Sequence, residues 1–270
     1  MELSVITPAW NEELNLEPFY GALVEALEPE AISWEWIIVD DGSQDKTPRE
    51  IEKLNQKDSR VKGIRHRQNQ GSHGAILTGL SHGTGEAMVI LSCDLQDPPQ
   101  LIPTLLKLLK KSQAEIVWAA RKNLKNRPYS LLAKLYFWLV FRTSQSRAEL
   151  THGADFLMIH ESVQKRLFRK SHVSMDLFSE LASQIKSSEV VFYEKRQRFR
   201  GQSGWTLFKK IKFTLAVLFG KKRPLKVDLQ TTWGFANLNQ VDYPFIGLKS
   251  DPVMKGEKLR CKPTSMKLKI

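Results

Sequence analysis

The chain has 270 residues, 41% hydrophobic and 26% charged, the balance of a globular protein with a core to bury and not of a disordered or fibrous chain. Two cysteines, Cys93 in an apolar run and Cys261 in a basic tail, exclude a disulfide framework and a Cys-rich metal site, and fit a reducing, cytoplasmic setting. The 41 Lys and Arg against 29 Asp and Glu give a net charge of +12, which favours nucleic acid, anionic lipid headgroups or phosphorylated substrates without choosing among them.

The amino terminus enters an apolar strand at once, without the features of a signal peptide, so secretion is not expected. Short β-type runs recur at residues 3–7, 36–39, 61–65, 87–92 and 115–119, and helix-like segments separate them, which predicts an α/β fold with a mostly parallel sheet flanked by helices. Leu16, Phe19, Tyr20, Leu23 and Leu27 form one apolar helix face. Pro99 opens a second helix carrying Leu101, Ile102, Leu105, Leu106 and Leu109. Around the apolar residues 131–141 the charge turns basic, a pattern suited to a helix lying on a surface. Further strands are expected at 156–159 and 190–193, with a helix over 176–185. A compact domain over 1–220 and a basic extension over 221–270, broken by Pro224, Pro244, Pro252 and Pro263, complete the chain; no fold is predicted for the extension. No apolar stretch reaches the roughly 20 residues that span a bilayer.

In an open parallel sheet the ligand crevice lies beyond the carboxyl ends of the strands. The residues there are polar: Trp10, Asn11, Glu12 and Glu13 after the first run, Asp40, Asp41, Gly42 and Ser43 after the second, Asp94, Gln96 and Asp97 after the fourth. Adjacent carboxylates at a strand end suit ribose hydroxyls and base N–H groups. Asp45 and Thr47 are simpler to read as caps of the next helix. Asp94 and Gln96 offer hard oxygens of the kind Mg²⁺ or Mn²⁺ takes, although a strand-end turn into Pro98-Pro99 would use the same residues.

Together, Ser4-Val5-Ile6-Thr7-Pro8-Ala9-Trp10-Asn11-Glu12-Glu13-Leu14-Asn15, Val39-Asp40-Asp41-Gly42-Ser43, Asn69-Gln70-Gly71-Ser72-His73-Gly74-Ala75, Asp94-Leu95-Gln96-Asp97-Pro98-Pro99 and Arg198-Phe199-Arg200-Gly201-Gln202-Ser203-Gly204-Trp205 resemble the family 2 glycosyltransferases of the GT-A type. The branch they resemble is that of dolichyl-phosphate mannosyltransferase and the bacterial polyprenyl-phosphate sugar transferases, over roughly residues 2 to 220. The resemblance implies a nucleotide-diphospho-sugar transferase fold and an inverting sugar transfer. It places Pro8, Ala9, Trp10, Asn11, Glu12, Asp40, Asp41, Ser43, Asn69, Gly71 and Ser92 at the nucleotide donor. Asp94 and Gln96 are placed on a divalent metal, Mg²⁺ or Mn²⁺, and the diphosphate, and Arg198 on the phosphates. His73 shapes its loop.

Two departures stand out. Ser92 occupies the position where the family has the first Asp of an Asp-Ala-Asp triplet, so one carboxylate of the metal site is missing. Leu157 follows Gly153-Ala154-Asp155-Phe156 where the branch tends to carry Arg, which touches an acceptor-side contact. Asp155 and Asp176 are the candidate bases beside Asp94, needed for a sugar-hydroxyl acceptor and not for a phosphate already ionised; Asp176 also reads as a helix cap. The expected acceptor is a polyprenyl phosphate or a lipid-linked or cell-surface glycan. The Lys-rich residues 207–213, where relatives lead into membrane helices, read equally as an interfacial helix on an anionic membrane and as a core helix with a solvated face. A location at the inner face of the membrane follows from the first reading. The alternative to turnover is a degenerate GT-A domain that binds nucleotide sugar or partners. Nucleic acid is not an expected partner, for the aromatic platform of such proteins is missing.

Overall fold

A computed structural model of the chain describes residues 1–122, 155–169, 177–200 and 229–234. Eight strands form one sheet: β1 (Leu3–Ala9), β2 (Trp34–Asp40), β3 (Val61–His66), β4 (Ala87–Ile90), β5 (Ile116–Arg121), β6 (Phe156–His160), β7 (Ser188–Tyr193) and β8 (Leu229–Trp233), in the order β7-β5-β6-β4-β1-β2-β3-β8. Among the described residues six α-helices accompany them: α1 (Leu16–Leu27), α2 (Thr47–Lys57), α3 (Ser72–His82), α4 (Ile102–Ser112), α5 (Glu161–Phe168) and α6 (Leu177–Gln184).

The central strands are apolar because both sheet faces are covered. β2, Trp-Glu-Trp-Ile-Ile-Val-Asp, is buried along its whole length, and each such Val, Ile or Trp contributes on the order of 1.5–3 kcal/mol by leaving water. One layer of core sets Phe19, Leu23, Leu27, Ile51, Leu105 and Leu109 from α1, α2 and α4 against one face. The other sets Leu77, Leu80, Val163 and Leu181 from α3, α5 and α6 against the opposite face. The two apolar helix faces expected from the sequence are buried here except at Tyr20 and Leu101, which stay partly exposed; Leu101 ends a short 3₁₀ turn, Pro99–Leu101, ahead of α4, and the Tyr20 hydroxyl donates to Asp58 at 2.9 Å.

β1, β2, β3 and β4 pair in parallel, as do β5 and β7. β6 runs antiparallel between β4 and β5, and β8 antiparallel on the outer edge of β3. The order places β2 and β3 on one side of β1 and β4 on the other, so the connections diverge at β1 and leave a crevice at the carboxyl ends of β1, β2 and β4. β8 falls in the stretch after residue 220, for which the sequence predicts no fold; the sheet takes up these five residues, Leu-Gln-Thr-Thr-Trp, at an edge where neither alternation nor a long apolar run is required. They dock because Gly63 has no side chain: a Cβ there would lie 2.6 Å from the Trp233 ring. Residues 131–141, 207–213, Asp176, Gly153, Ala154 and most of the extension lie outside the described residues.

Candidate active site

Two loops build the crevice floor. β1 runs two residues further than its apolar run suggests, so Pro8 and Ala9 are inside the strand, opposite Val39 and Asp40. Proline is tolerated there because β4 pairs with β1 only through Ile6. The Ala9 side chain is buried in the core, and its carbonyl accepts the Asp41 amide at 2.8 Å; as a donor contact Ala9 has no side-chain atom to offer.

The following loop is stitched to the β2–α2 loop. The Asn11 amide donates to Ser43 Oγ at 2.9 Å, the Gln44 amide to Asn11 Oδ1 at 2.9 Å, the Glu12 amide to Thr47 Oγ1 at 2.8 Å and the Lys46 amide to Glu13 at 2.8 Å. Asn11 sits at φ 56, the left-handed conformation that Asn tolerates. Trp10 is left exposed at the rim. Asp45 accepts the Thr47 amide at 3.0 Å from one residue ahead of the N-cap position, which Lys46 holds, and Thr47 is the first helical residue, its hydroxyl taken by the Glu12 amide and not by a cap.

Asp40 and Asp41 divide the work. Asp41 is a loop organiser: its carboxylate accepts the Gln70 and Gly71 amides at 2.7 and 2.8 Å and meets His66 Nδ1 at 2.8 Å, with Thr78 Oγ1 on the other ring nitrogen at 3.0 Å. Those bonds set the Asn69–Gly71 loop beside Gly42, whose φ of 74 strains any other residue and where a Cβ would crowd the Asn69 amide at 3.2 Å. Asn69 itself is exposed. Asp40, fully buried, accepts the Ser43 amide at 2.9 Å through Oδ1. Its Oδ2 lies 3.1 Å from Arg65 Nε but without hydrogen-bond alignment, so this buried oxygen has charge compensation and no hydrogen bond among the described residues. Burial pushes the Asp40 carboxyl up, against the opposing pull of Ser43 and Arg65.

Beyond β4, Asp94 is buried, and its Oδ1 accepts Ser92 Oγ at 2.9 Å and the Gln96 amide at 3.1 Å. Leu95 turns the chain at φ 59. The Asp94 Oδ2 faces Arg198 Nη1 at 3.4 Å, while Arg198 Nη2 pairs with Glu12. Glu12 also takes the Asn15 carboxamide. Burial raises the Glu12 carboxyl and Asp94 adds to this, while Asn15 and Arg198 draw it down. Arg198 therefore reaches from the end of β7 to bridge carboxylates from β1 and β4.

What brings it there was not readable from the motif. The chain after β7 lies along the β4 loop, the Arg196 amide donating to the Gln96 carbonyl at 2.9 Å and the Phe199 amide to the Asp94 carbonyl at 3.1 Å. Tyr193 hydrogen-bonds buried Asp97, and Lys195 Nζ stands 3.2 Å from Asp97 and 3.6 Å from Asp155. Arg121 pairs with Asp155 as well. Burial, then the Asp155 charge, raises the Asp97 carboxyl. Asp97 was visible as a strand-end acid but carried no assigned role, and nothing in the sequence beyond strand-end position marks Tyr193, Lys195 and Arg121 as its neighbours. His73, expected to shape its own loop, instead lies in the first turn of α3, where it accepts the Leu177 amide at 3.0 Å and packs edge-on to Phe178 at the start of α6.

Asp94 and Gln96 supply one carboxylate and one carboxamide, hard oxygens suited to Mg²⁺ or Mn²⁺. Among the described residues no group of three or more His, Cys, Asp or Glu converges to hold an ion unaided. A cation on Asp94 and Gln96 would take the rest of its shell from phosphate oxygens and water.

The sequence profile described as glycosyl transferase family 2 matches residues 4–172. An uncharacterized glycosyltransferase, sll0501, of Synechocystis sp. is 30% identical over 232 residues, covering 84% of this chain and 72% of that protein. The undecaprenyl-phosphate 4-deoxy-4-formamido-L-arabinose transferase of Salmonella choleraesuis is 29% identical over 153 residues, 56% of this chain and 46% of that one. Among solved structures, S. aureus TarS 1-349 in complex with UDP-GlcNAc superposes with a TM-score of 0.55 at 16% identity, over 81% of this chain and 65% of that one. Glucosyl-3-phosphoglycerate synthase from Mycobacterium tuberculosis, in complex with Mn²⁺, UDP-Glc and phosphoglyceric acid, gives 0.56 at 16% identity, over 80% and 77%. The chain thus spans less than two thirds of TarS 1-349 and about seven tenths of the Synechocystis protein. The structural likenesses show the fold, and the profile, over more than half of the chain, shows the lineage: the chain belongs to glycosyl transferase family 2 and is a glycosyltransferase of the GT-A fold.

Proposed function

We propose that this glycosyltransferase takes a sugar from a nucleoside diphosphate donor bound at the carboxyl edge of β1, β2 and β4 and delivers it, with inversion, to a polyprenyl phosphate at the inner face of a membrane. The observation that carries the reading is the pairing of Asp94 with Arg198 in one crevice, which sets a carboxylate for a cation beside a guanidinium fork for phosphate. Asp40 Oδ2, buried and without a hydrogen bond, is an acceptor for a base N–H or ribose hydroxyl, because a buried polar atom left unpaired costs on the order of 1–3 kcal/mol. Trp10 borders the base side, and Asn11, Asp41, Ser43, Asn69 and Gly71 hold the loops around it.

Asp94 and Gln96 would hold the divalent metal, with Ser92 beside them. A divalent cation, when bound, supplies charge neutralisation for the departing nucleoside diphosphate. Arg198 stabilises the same charge through fixed N–H donors. An inverting transfer is one in-line displacement, so the acceptor oxygen attacks opposite the leaving group. Asp155, one candidate base, is tied to Arg121 and stands 3.6 Å from Lys195, an arrangement that favours an acceptor needing no base. A phosphate monoester, with a second pKa of about 6, is ionised at neutral pH, and two neighbouring cations suit it better than a hydroxyl. The Salmonella relative's name carries the same acceptor class. No helix among the described residues is long and apolar enough to cross a membrane.

The test is incubation with a panel of labelled UDP-, GDP- and dTDP-sugars and vesicles containing polyprenyl phosphate, with Mn²⁺ or Mg²⁺. Label in the lipid extract, with inverted anomeric configuration by NMR, is expected. Transfer only to soluble glycans would overturn the acceptor assignment.

A further inference from the structure

Arg198 is not loosely placed. Its side chain is 19% exposed, its Nε donates to the Arg200 carbonyl at 2.9 Å, and the flanking Arg196 and Phe199 amides register the segment on the Gln96 and Asp94 carbonyls. The guanidinium lies between Glu12 and Asp94, and no other described cation pairs with either carboxylate. Asp94 Oδ1 is already occupied by Ser92 Oγ and the Gln96 amide, so Oδ2 is the oxygen open to a cation, and it is the one Arg198 faces at 3.4 Å.

We propose that Arg198 is the resident counter-ion of Glu12 and Asp94 and competes with the divalent cation for Asp94, so that the cation binds well only when a donor diphosphate draws the guanidinium away. This rests on the reading of Asp94 as a cation ligand. Two carboxylates and one guanidinium leave the free site with a single negative charge, a weak lure for a divalent ion that must shed water. Ser92 contributes no second anion to hold an ion while Arg198 is in place. A diphosphate changes the balance twice: it adds negative charge, and its oxygens match the guanidinium fork that carboxylates hold only singly here. Nucleotide and cation then help each other bind beyond their direct contact, and by linkage the help is mutual.

The experiment titrates Mn²⁺ alone into the nucleotide-free full chain, following free Mn²⁺ by electron paramagnetic resonance, and repeats the titration at saturating UDP. Arg198→Gln is expected to bind Mn²⁺ about tenfold more tightly than wild type without nucleotide, the order expected from removing one nearby positive charge in a solvent-accessible cleft. Arg198→Lys, which keeps the charge, should stay within about threefold of wild type. UDP should tighten Mn²⁺ binding by a smaller factor in Arg198→Gln than in wild type. Equal affinity of wild type and Arg198→Gln, including no binding by either, overturns the competition. If Asp94→Asn placed in the Arg198→Gln background leaves Mn²⁺ affinity unchanged, it is the assignment of Asp94 as cation ligand that fails. Should Arg198→Gln not fold, Glu12→Gln reads the balance from the other side: the guanidinium then falls to Asp94 alone, Mn²⁺ affinity without nucleotide should drop by about tenfold, and an unchanged affinity overturns the proposal.

Discussion

At the end of β2 the buried Asp40 carboxylate has one oxygen on the Ser43 amide and the other facing Arg65 without hydrogen-bond alignment. Burial raises its pKa above the ordinary 3.8. An acid raised by folding costs stability when ionised; the cost is absent below the unfolded value and complete above the folded one. Asp40→Asn should therefore melt higher than wild type at pH 7, with the gain vanishing as pH falls toward 4, yet bind UDP about tenfold more weakly for loss of a charged acceptor. Thermal melts across that range, with UDP titrations at pH 7, check both signs. Ser92 invites the opposite experiment. Its hydroxyl donates to Asp94 at 2.9 Å, so Ser92→Asp sets two carboxylates together. Without metal they repel, and the melting temperature should fall; Mn²⁺ should restore more than it lost by binding only the folded state. An unchanged response to Mn²⁺ in differential scanning fluorimetry would show that the site is organised otherwise.

The segment leaving β7 shows what the sequence hides at the scale of elements. β1 to β4, α1 and α4 were legible because apolar runs and a helical face state their own burial, and Asp94, Glu12 and Asp40 were legible because they end such runs. The resemblance puts Arg198 and Asp94 at one diphosphate, but their direct pairing was not legible, since the register is set by main-chain bonds between residues about a hundred apart, Arg196 to Gln96 and Phe199 to Asp94. Main-chain bonds leave no side-chain signature. The antiparallel insertion of β6 was equally hidden, for Phe-Leu-Met-Ile reads the same in either direction. Tyr193 and Asp97 secure this segment from the core side. Tyr193→Phe leaves the buried Asp97 with Lys195 as its main partner and should cost about 1–3 kcal/mol in urea unfolding. UDP affinity should fall only severalfold, because the two main-chain bonds remain. A loss of stability with full loss of UDP binding would mean that the tyrosine, and not the main chain, sets the position of Arg198.

Among the described residues, the carboxylates whose titration is clearly shifted fall into two groups. Glu12, Asp40 and Asp97, along the carboxyl edge of the sheet, are raised, in each case with burial as the largest cause. Glu2, Glu35, Asp58, Glu115 and Glu161, away from that edge, are lowered by their partners. Unfavourable charge collected in one crevice is a mark of a functional site, whereas the rest of the fold pairs its charges. Glu35 is the clearest of the second group. It lies on β2 five residues before Asp40, roughly 16 Å away along an extended strand. Its carboxylate, with no exposure, accepts Ser4 Oγ at 2.6 Å, the Thr84 amide and hydroxyl at 2.8 Å each, and Lys62 Nζ at 2.7 Å. It thereby ties β1, β2, β3 and the turn into β4 together at the amino end of the sheet. Burial alone would raise this carboxyl, but the bonds from Lys62, Ser4 and Thr84 outweigh it and hold it below the ordinary 4.5. The sign follows: its stabilisation is present above 4.5 and is lost as pH falls through the lower folded value. Glu35→Gln, which keeps the shape and one acceptor but drops the charge facing Lys62, should cost about 1–3 kcal/mol in urea unfolding at pH 7. The difference from wild type should shrink as the pH is lowered below 4.5, because wild type then loses what the variant never had. UDP affinity at pH 7 should match wild type, since the residue acts at the end of the sheet opposite the crevice. Urea titrations at pH 7 and pH 4, paired with UDP titrations at pH 7, separate the two ends; a variant that loses UDP binding while still folded would show that the amino end of the sheet is coupled to the crevice and that the division of labour drawn here is wrong.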